Sequence, residues 1–508
     1  MSQVGSGERF TFIDLFAGIG GFHAGLHGLG GRCVYAAEID GPARSIYTKA
    51  WIDPLPRDQQ FHFANDVNAA APLLPEGVTD DHAGDDVDVP DHDVLAAGFP
   101  CQAFSKSGHQ RGVLDETRGT LFYNVLRIIK AKQPKVVFLE NVRNLVGPRH
   151  RETTFATIVR SLGEFGYTVS QDPTIISPHR IHPDHGGTPQ VRDRVYILAI
   201  RSDLLDPLKT TEFPGFDYGT WDPSCWQIDQ TPLALYGGRP AVERNAKVPP
   251  RFRIGPDSLE RAWLDTFQRF LVEHMKTSGM RPGDGVRRLP GFPLWFRHQG
   301  MPDDKFDAEV AAATSAGYDW KVEFLEKNRD FFLKNHETVV PLLDAIKDFP
   351  ESRKKLEWQA KDASSLWDCL IQLRPSGIRV KPLTYAPALV AINQAPIYGP
   401  GKRRITPGEA ARLQGFPDAV IDLLDQQDDK HSYKQLGNAV HVGAVRLALA
   451  QFLAHHEPAL TEVAARDAAV RALFDGTRSA RGALRGVATP VSEQLALAID
   501  EPARVSVA

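Results

Sequence analysis

In Thr11-Phe12-Ile13-Asp14-Leu15-Phe16-Ala17-Gly18-Ile19-Gly20-Gly21-Phe22, an apolar run of strand length passes directly into a cluster of glycines. Glycine lets the backbone turn sharply and approach a ligand closely, and the carboxyl edge of an α/β sheet is where such ligands sit. The same rhythm continues outward. Runs of strand character fall at 11–16, 33–37, 94–97, 135–139, 167–170 and 195–200, with helical patterns at 41–50, 121–132 and 155–165 between them. The strands are apolar almost throughout, as expected when helices cover both faces of a parallel sheet. An α/β fold is therefore predicted for the first 200 residues.

Each strand end in this region carries polar chemistry. The second leads into Ala37-Glu38-Ile39-Asp40, which places a carboxylate where it could accept hydrogen bonds from two ribose hydroxyls. Glu38 fits a helix N-terminal charge equally well, and the glycine cluster alone would also suit a dinucleotide-dependent dehydrogenase. The strand at 94–97 runs into Gly98-Phe99-Pro100-Cys101-Gln102-Ala103-Phe104-Ser105. Most intracellular cysteines are small buried hydrophobes. Cys101 instead follows a proline at a strand-to-loop junction and precedes a polar stretch reaching Gly119. The strand at 135–139 ends in Glu140-Asn141-Val142. If those two strands are parallel neighbours, Cys101 and Glu140 share one rim, a nucleophile and an acid within reach of one substrate.

Beyond residue 200 the rhythm breaks. Proline, tryptophan and charge mix from 201 to 400, with helical stretches near 259–274, 318–333 and 338–346. Thr406-Pro407-Gly408-Glu409 predicts a helix start, with Thr as N-cap, Pro in the first turn and Glu closing a capping box. A further helix is predicted at 443–456, and the Ala- and Arg-rich tail after Pro458 is partly helical in pattern without a readable role. The expected division is 10–200, 201–430 as a smaller irregular domain with helical inserts, 431–457 returning to the first domain, and 458–508 as a tail.

Bulk composition is that of a globular chain of 508 residues, 42% hydrophobic and 24% charged. The net charge of −4 does not announce a nucleic-acid partner, but a binding cleft needs only a local positive surface. The acidic run from Asp80 to Asp93 reads as a solvated loop, and basic residues gather at Arg374, Arg379, Lys381, Lys402, Arg403 and Arg404. No apolar run of about 18 residues predicts a membrane span, and the start of the chain lacks the apolar core of a secretion signal. Cys33, Cys101, Cys225 and Cys369 form no CxxC pair, so free thiols and a reducing, cytoplasmic setting are expected. His179, His182, Asp184 and His185 lie close together but lack a cysteine partner or helical spacing, so no metal site is expected.

The ordered series DLFAGIGGF (14–22), GFPCQAFS (98–105), ENV (140–142), PQVRDR (189–194) and QLGNAV (435–440) resembles the motif set of the cytosine-5 DNA methyltransferases, bacterial restriction-modification type. The resemblance covers roughly 10–200 and 400–445. It implies a Rossmann-like S-adenosylmethionine-dependent methyltransferase sheet with a smaller, irregular target-recognition domain. Phe16, Gly18, Gly20, Glu38, Ile39, Asp66, Val67, Pro100, Leu121 and Asn438 would form or support the S-adenosylmethionine site. Cys101 would be the nucleophile and Glu140 would hold the N3 and amino edge of cytosine. Arg192 and Arg194 would support the glutamate and bind the carbonyl oxygen of the base. A loop from about 102 to 117 would close over DNA, with Ser105, Ser107, Gln110, Arg111 and Arg118 as contacts. Arg374 and Arg379, in a stretch resembling the family's target-recognition segment, would read guanine edges or hold phosphate. Ile39 stands where the family often has an adenine-stacking aromatic residue, so some contact there is expected to be lost.

The resemblance thus implies methyl transfer to duplex DNA by a monomer, with a cognate endonuclease or defence system encoded elsewhere. Two other readings stay open from the sequence: a tRNA cytosine-5 methyltransferase, because one branch of the family acts on tRNA, and a catalytically inactive DNA-binding protein. The long insert before Thr406 favours DNA readout, and the intact Cys101, Glu140, Arg192 and Arg194 set weighs against an inactive scaffold.

Overall fold

The computed structural model describes residues 9–72, 87–100, 121–219, 221–244, 247–389 and 395–485. Its main sheet is built from β1 (Thr11–Leu15), β2 (Arg32–Ala37), β3 (His62–Ala64), β4 (Val94–Ala97), β5 (Val136–Val142), β6 (Tyr167–Val169), β7 (Thr174–Ile176) and, after the short β8 (Gln190–Val191), β9 (Arg194–Arg201). The spatial order is β3-β2-β1-β4-β5-β9-β6, with β7 also paired to β9. From β3 to β5 every pairing is parallel, while β9 runs antiparallel to β5, β6 and β7. The wholly parallel sheet expected from the apolar strands is therefore corrected at one end. Apolar strands report burial on both faces but not chain direction.

Helices cover both faces. One layer packs Gly21–His27 and Val442–His456 against Phe12, Ala36 and Phe138. The other packs Leu121–Lys132 and Ala156–Glu164 against Leu15, Leu95 and Leu139. Val442–His456 lies within the stretch 429–459, which is long and apolar enough to cross a bilayer, but 83% of that window is buried inside the protein. It is apolar all round because the fold surrounds it. The tail is also part of this layer. Val470, Leu473 and Phe474 on the helix Ala468–Arg485 join the core formed by Phe10, Leu29 and Val445.

The middle of the chain contains a second sheet that the sequence did not reveal. It consists of β10 (Leu294–Trp295), β11 (Lys355–Trp358), β12 (Leu370–Arg374), β13 (Gly377–Lys381), β15 (Ile397–Tyr398) and β16 (Arg403–Arg404), in the order β10-β11-β13-β12-β15-β16. Between β13 and β15 the short β14 (Ala386–Pro387) pairs instead with β8. The helices Leu259–Thr277 and His336–Ala345 share a separate apolar core with this sheet.

Two local readings meet different ends. The capping box is present: Thr406 Oγ1 accepts from Glu409 N, and Glu409 Oε2 accepts from Thr406 N at 2.9 Å. The acidic run is not a uniformly solvated loop. Residues 80–86 lie outside the described residues, and Asp88 and Asp91 are exposed. Asp93, however, is buried where β4 begins, accepting from Thr11 N at 2.7 Å and pairing with Lys135 at 2.7 Å. Those partners hold its carboxyl below its ordinary pKa against the opposing cost of burial.

Candidate active site

The carboxyl edges of β1, β2, β4 and β5 converge on one cavity of about 390 Å³. The glycine turn forms its floor. Phe16 and Gly18 both have positive φ, 56° and 55°, a strained region for a residue with a side chain. A Cβ placed on Gly18 would meet nothing within 4 Å, so its backbone faces open space in the cavity. Gly20 behaves differently. It caps the helix Gly21–His27, and a Cβ there would lie 2.2 Å from Trp51 Nε1, so close packing as well as conformation requires glycine.

Glu38 reaches back to the turn. Its Oε2 accepts from Gly18 N at 2.8 Å and its Oε1 from Asp40 N at 2.7 Å. Each oxygen has two lone pairs, so acceptor capacity toward the cavity remains. Ile39 stands at the rim, 76% exposed, and Leu121 and Pro100 add apolar wall. Asp40 caps the helix Gly41–Tyr47 and pairs with Lys434, so the late segment 434–440 closes the cavity's other side. Asn438 is part of that wall. Asp66 and Val67 are not: Asp66 caps the helix Val67–Ala70 by accepting from Asn68 N, and neither residue lines the cavity.

Glu140, near the end of β5, is buried at the deep end. Arg194 Nε lies 3.0 Å from its Oε1, but the geometry is not that of a hydrogen bond, and Oε1 has no aligned donor among the described residues. Burial pushes the Glu140 carboxyl above its usual pKa, and the nearby Arg194 and Arg192 charges only partly offset this. A Cβ on Gly98 would meet Glu140 Oε2 at 3.7 Å and Phe22 and Val440 at 3.8 Å, so the chain leading to Cys101 starts beside this carboxyl. Cys101 itself, with Ser105, Ser107, Gln110, Arg111 and Arg118, lies outside the described residues.

Three of the expected arginines have partners within the protein. Arg192 does not line the cavity; it is fully buried, and its Nη2 donates to Gly437 O at 3.0 Å and Ala439 O at 2.5 Å. Burial pushes its pKa down to about 9. Arg192 therefore grips the 437–439 segment from outside the cavity, and its charge still acts on Glu140. Arg374 and Arg379 both close on Glu357, Arg379 through Nε at 2.6 Å, so neither is a free cation. Other basic residues are similarly engaged. Arg403 is buried against Glu409 at 2.7 Å, Arg404 pairs with Glu260, and Lys381 and Lys402 lie over aromatic rings.

A model of C-5 cytosine-specific DNA methylase matches residues 10–232 and 386–453, more than half of the chain. The chain belongs to this family. Type II methyltransferase M.AluI of Cellulosimicrobium cellulans is 38% identical over 499 residues, covering 86% of this chain and 91% of that protein. Type II methyltransferase M.HpaII of Haemophilus parainfluenzae is 29% identical over 441 residues, covering 86% and 88%. Type II methyltransferase M.HhaI of Haemophilus parahaemolyticus is 36% identical over 203 residues, covering 40% and 52%. The fold is accordingly that of an S-adenosylmethionine-dependent methyltransferase, and the protein is a DNA cytosine-5 methyltransferase; the tRNA alternative is not needed.

For this methylase the sequence missed one residue that shapes the cavity. Asn141 is buried, and its Nδ2 donates to Phe99 O at 3.0 Å, pinning the chain two residues before Cys101. The signal was present as an amide beside Glu140, but its partner lies in the turn that follows another strand. The histidine-rich stretch has local partners: Ser177 for His179 at 3.0 Å, and Asp184 N for His182 at 3.2 Å. Among the described residues no group of three His, Cys, Asp or Glu could hold a metal ion.

Proposed function

We propose that this methylase acts through a covalent adduct between Cys101 and carbon 6 of a cytosine flipped out of duplex DNA. The observation that carries the reading is the one cavity in which a buried Glu140, its carboxyl pKa raised by burial, faces the cofactor-type floor of Phe16, Gly18 and Glu38. Carbon 5 of cytosine is too weak a nucleophile to attack an electrophilic methyl group. Addition of a thiolate to C6 makes C5 an enamine carbon; after methylation a base, water or side chain, takes the C5 proton, and its electron pair re-forms the C5–C6 double bond as the compact, nucleophilic cysteine leaves. Negative charge then develops at N3. Glu140, which keeps its proton more readily than an ordinary carboxyl, donates there, while Arg194 stabilises the carbonyl oxygen without transferring a proton. Arg192 acts at one remove by fixing the 437–439 wall.

S-adenosylmethionine fits the floor: open space over Gly18, a ribose acceptor in Glu38, and apolar cover from Phe16, Ile39, Leu121 and Pro100. Bound there, it supplies the electrophilic methyl group. The cytosine must leave the stack to reach Glu140, at a cost of a few kcal/mol, and the segment 102–117 is positioned in the sequence to fill its place. We assign base reading to the region 201–430, monomeric action in the cytoplasm, and partnership with a separately encoded restriction endonuclease. A duplex carrying 5-fluorocytosine at the cognate site tests the adduct: the parent is expected to be trapped covalently, and Cys101→Ala neither to be trapped nor to methylate. Methylation by Cys101→Ala at the parent rate would end the proposal.

A further inference from the structure

A second cavity, of about 510 Å³, lies between the helix Gly21–His27, the segment 50–61 and the helix Val442–His456. It shares no lining residue with the active-site cavity. Its size falls in the range of small-molecule sites, roughly 300–1,000 Å³. Aromatic side chains supply much of the wall: Trp51 stacks on His23 with centroids 4.4 Å apart, and Phe61, Tyr236 and Phe416 also line it.

The charge of the lining is one-sided. Arg9, Arg32 and Arg446 all contribute, and no aspartate or glutamate does. Among the described residues none of the three arginines forms an ion pair, although most arginines elsewhere in the molecule have a carboxylate partner. Arg446 is the most telling. It projects from a mostly apolar helix, is half-buried, and is disfavoured in its charged form by desolvation alone. A guanidinium partly withdrawn from water and lacking an anion is disfavoured, and a charge-assisted partner would offset that cost. The two cavity histidines do not share its charge, because burial pushes His23 well down and lowers His27 as well.

We propose that this cavity is a binding site for a small organic anion with a flat apolar body, an aromatic carboxylate or sulfonate, whose acid group pairs with Arg446. The aromatic walls take the rings, and the absence of lining carboxylates admits the negative end. The site backs onto the cofactor turn. Trp51, which forms part of its wall, donates from Nε1 to Ile19 O at 3.2 Å and fills the space beside Gly20.

The probe is 8-anilinonaphthalene-1-sulfonate, titrated into the full chain by fluorescence, with N-phenyl-1-naphthylamine as the same ring system without charge. Arg446→Gln removes the cation, and Ala419→Trp, at an exposed lining position, fills the cavity without touching a buried core. The expected result is saturable binding of the sulfonate at one site, weakened at least tenfold by Arg446→Gln and abolished by Ala419→Trp. The neutral analogue is expected to bind more weakly and to ignore Arg446→Gln. Both variants are expected to unfold at or above the parent temperature and to keep methyl-transfer activity, so loss of the site and loss of the active centre are separable. Equal affinity of parent and Arg446→Gln for the sulfonate overturns the proposal. So does binding only to a chain beginning at Arg9, which would give the cavity to the protein's own N-terminus.

Discussion

Glu140 and Glu357 each sit on a strand with two arginines close by, yet they are treated in opposite ways. Around Glu357 both guanidiniums converge on the carboxylate across neighbouring strands of the second sheet. Around Glu140 one arginine, Arg192, is turned toward the carbonyls of Gly437 and Ala439, and the other, Arg194, comes within 3.0 Å without aligning a hydrogen bond. The second sheet satisfies its charges internally. The first leaves a buried carboxyl with unused bonding capacity, which is costly in the free protein and useful only if a substrate supplies the missing partner.

The sharpest way to break this comparison is Glu140→Gln. If the open carboxyl serves the reaction, methyl transfer is expected to fall by about 10² to 10⁴-fold, in the range of a lost general acid, with DNA affinity little changed. The pH profile adds a second readout. The folded chain holds the Glu140 proton more tightly than an unfolded chain does. Its contribution to stability is therefore fully present below the ordinary carboxylate range, and is lost as pH climbs through the raised folded value. Activity should decline over the same upper window as the proton leaves, and Glu140→Gln should remove both dependences. Unfolding followed by urea at several pH values, with initial rates alongside, checks the sign.

Next in size is Arg192→Met. Because Arg192 is buried and holds two backbone carbonyls, its loss is expected to cost about 3 kcal/mol of stability, the scale of breaking a buried charged contact. S-adenosylmethionine binding should weaken through the 437–439 wall. A variant that unfolds like the parent but loses only turnover would return Arg192 to the reacting atoms and blur the contrast between the two arginines.

The smallest expected effect is that of Glu357→Gln. Its ion pairs are partly exposed, so stability should move by less than about 1 kcal/mol. The two released arginines should nevertheless strengthen non-specific DNA binding and steepen its salt dependence by up to about two ions. An unchanged salt slope in fluorescence anisotropy would mean that Arg374 and Arg379 never face the duplex.

How much of this was legible depended on the kind of signal each part carried. The main sheet announced itself because β1, β4 and β5 are apolar runs bounded by glycine or charge. β3 escaped because His-Phe-Ala is too short to show a period, and β9 could be seen as a strand but not given a direction. The second sheet hid in short strands, three of them only two residues long, separated by Pro and Gly. At the site, the carboxylates Glu38 and Glu140 were readable because they end strands. The engagements of Arg192, Arg374 and Arg379 were not, since each depends on a partner far along the chain or on an unseen strand. The tail showed a partly helical pattern but not its place: Val470, Leu473, Phe474 and Thr477 follow helical spacing, and only the structure shows all four buried.

That buried tail has a consequence for how the protein is made. The apolar layer over β1 and β2 combines Phe10, Phe12 and Leu26 with Val445, Phe452, Leu473 and Phe474. A ribosome releases the first group long before the second, so the nascent polypeptide carries an uncovered hydrophobic face through most of its synthesis. Release of fragments ending before about residue 440 should give aggregated or chaperone-held material, while two separately expressed pieces divided within the middle insert retain the means to reassemble.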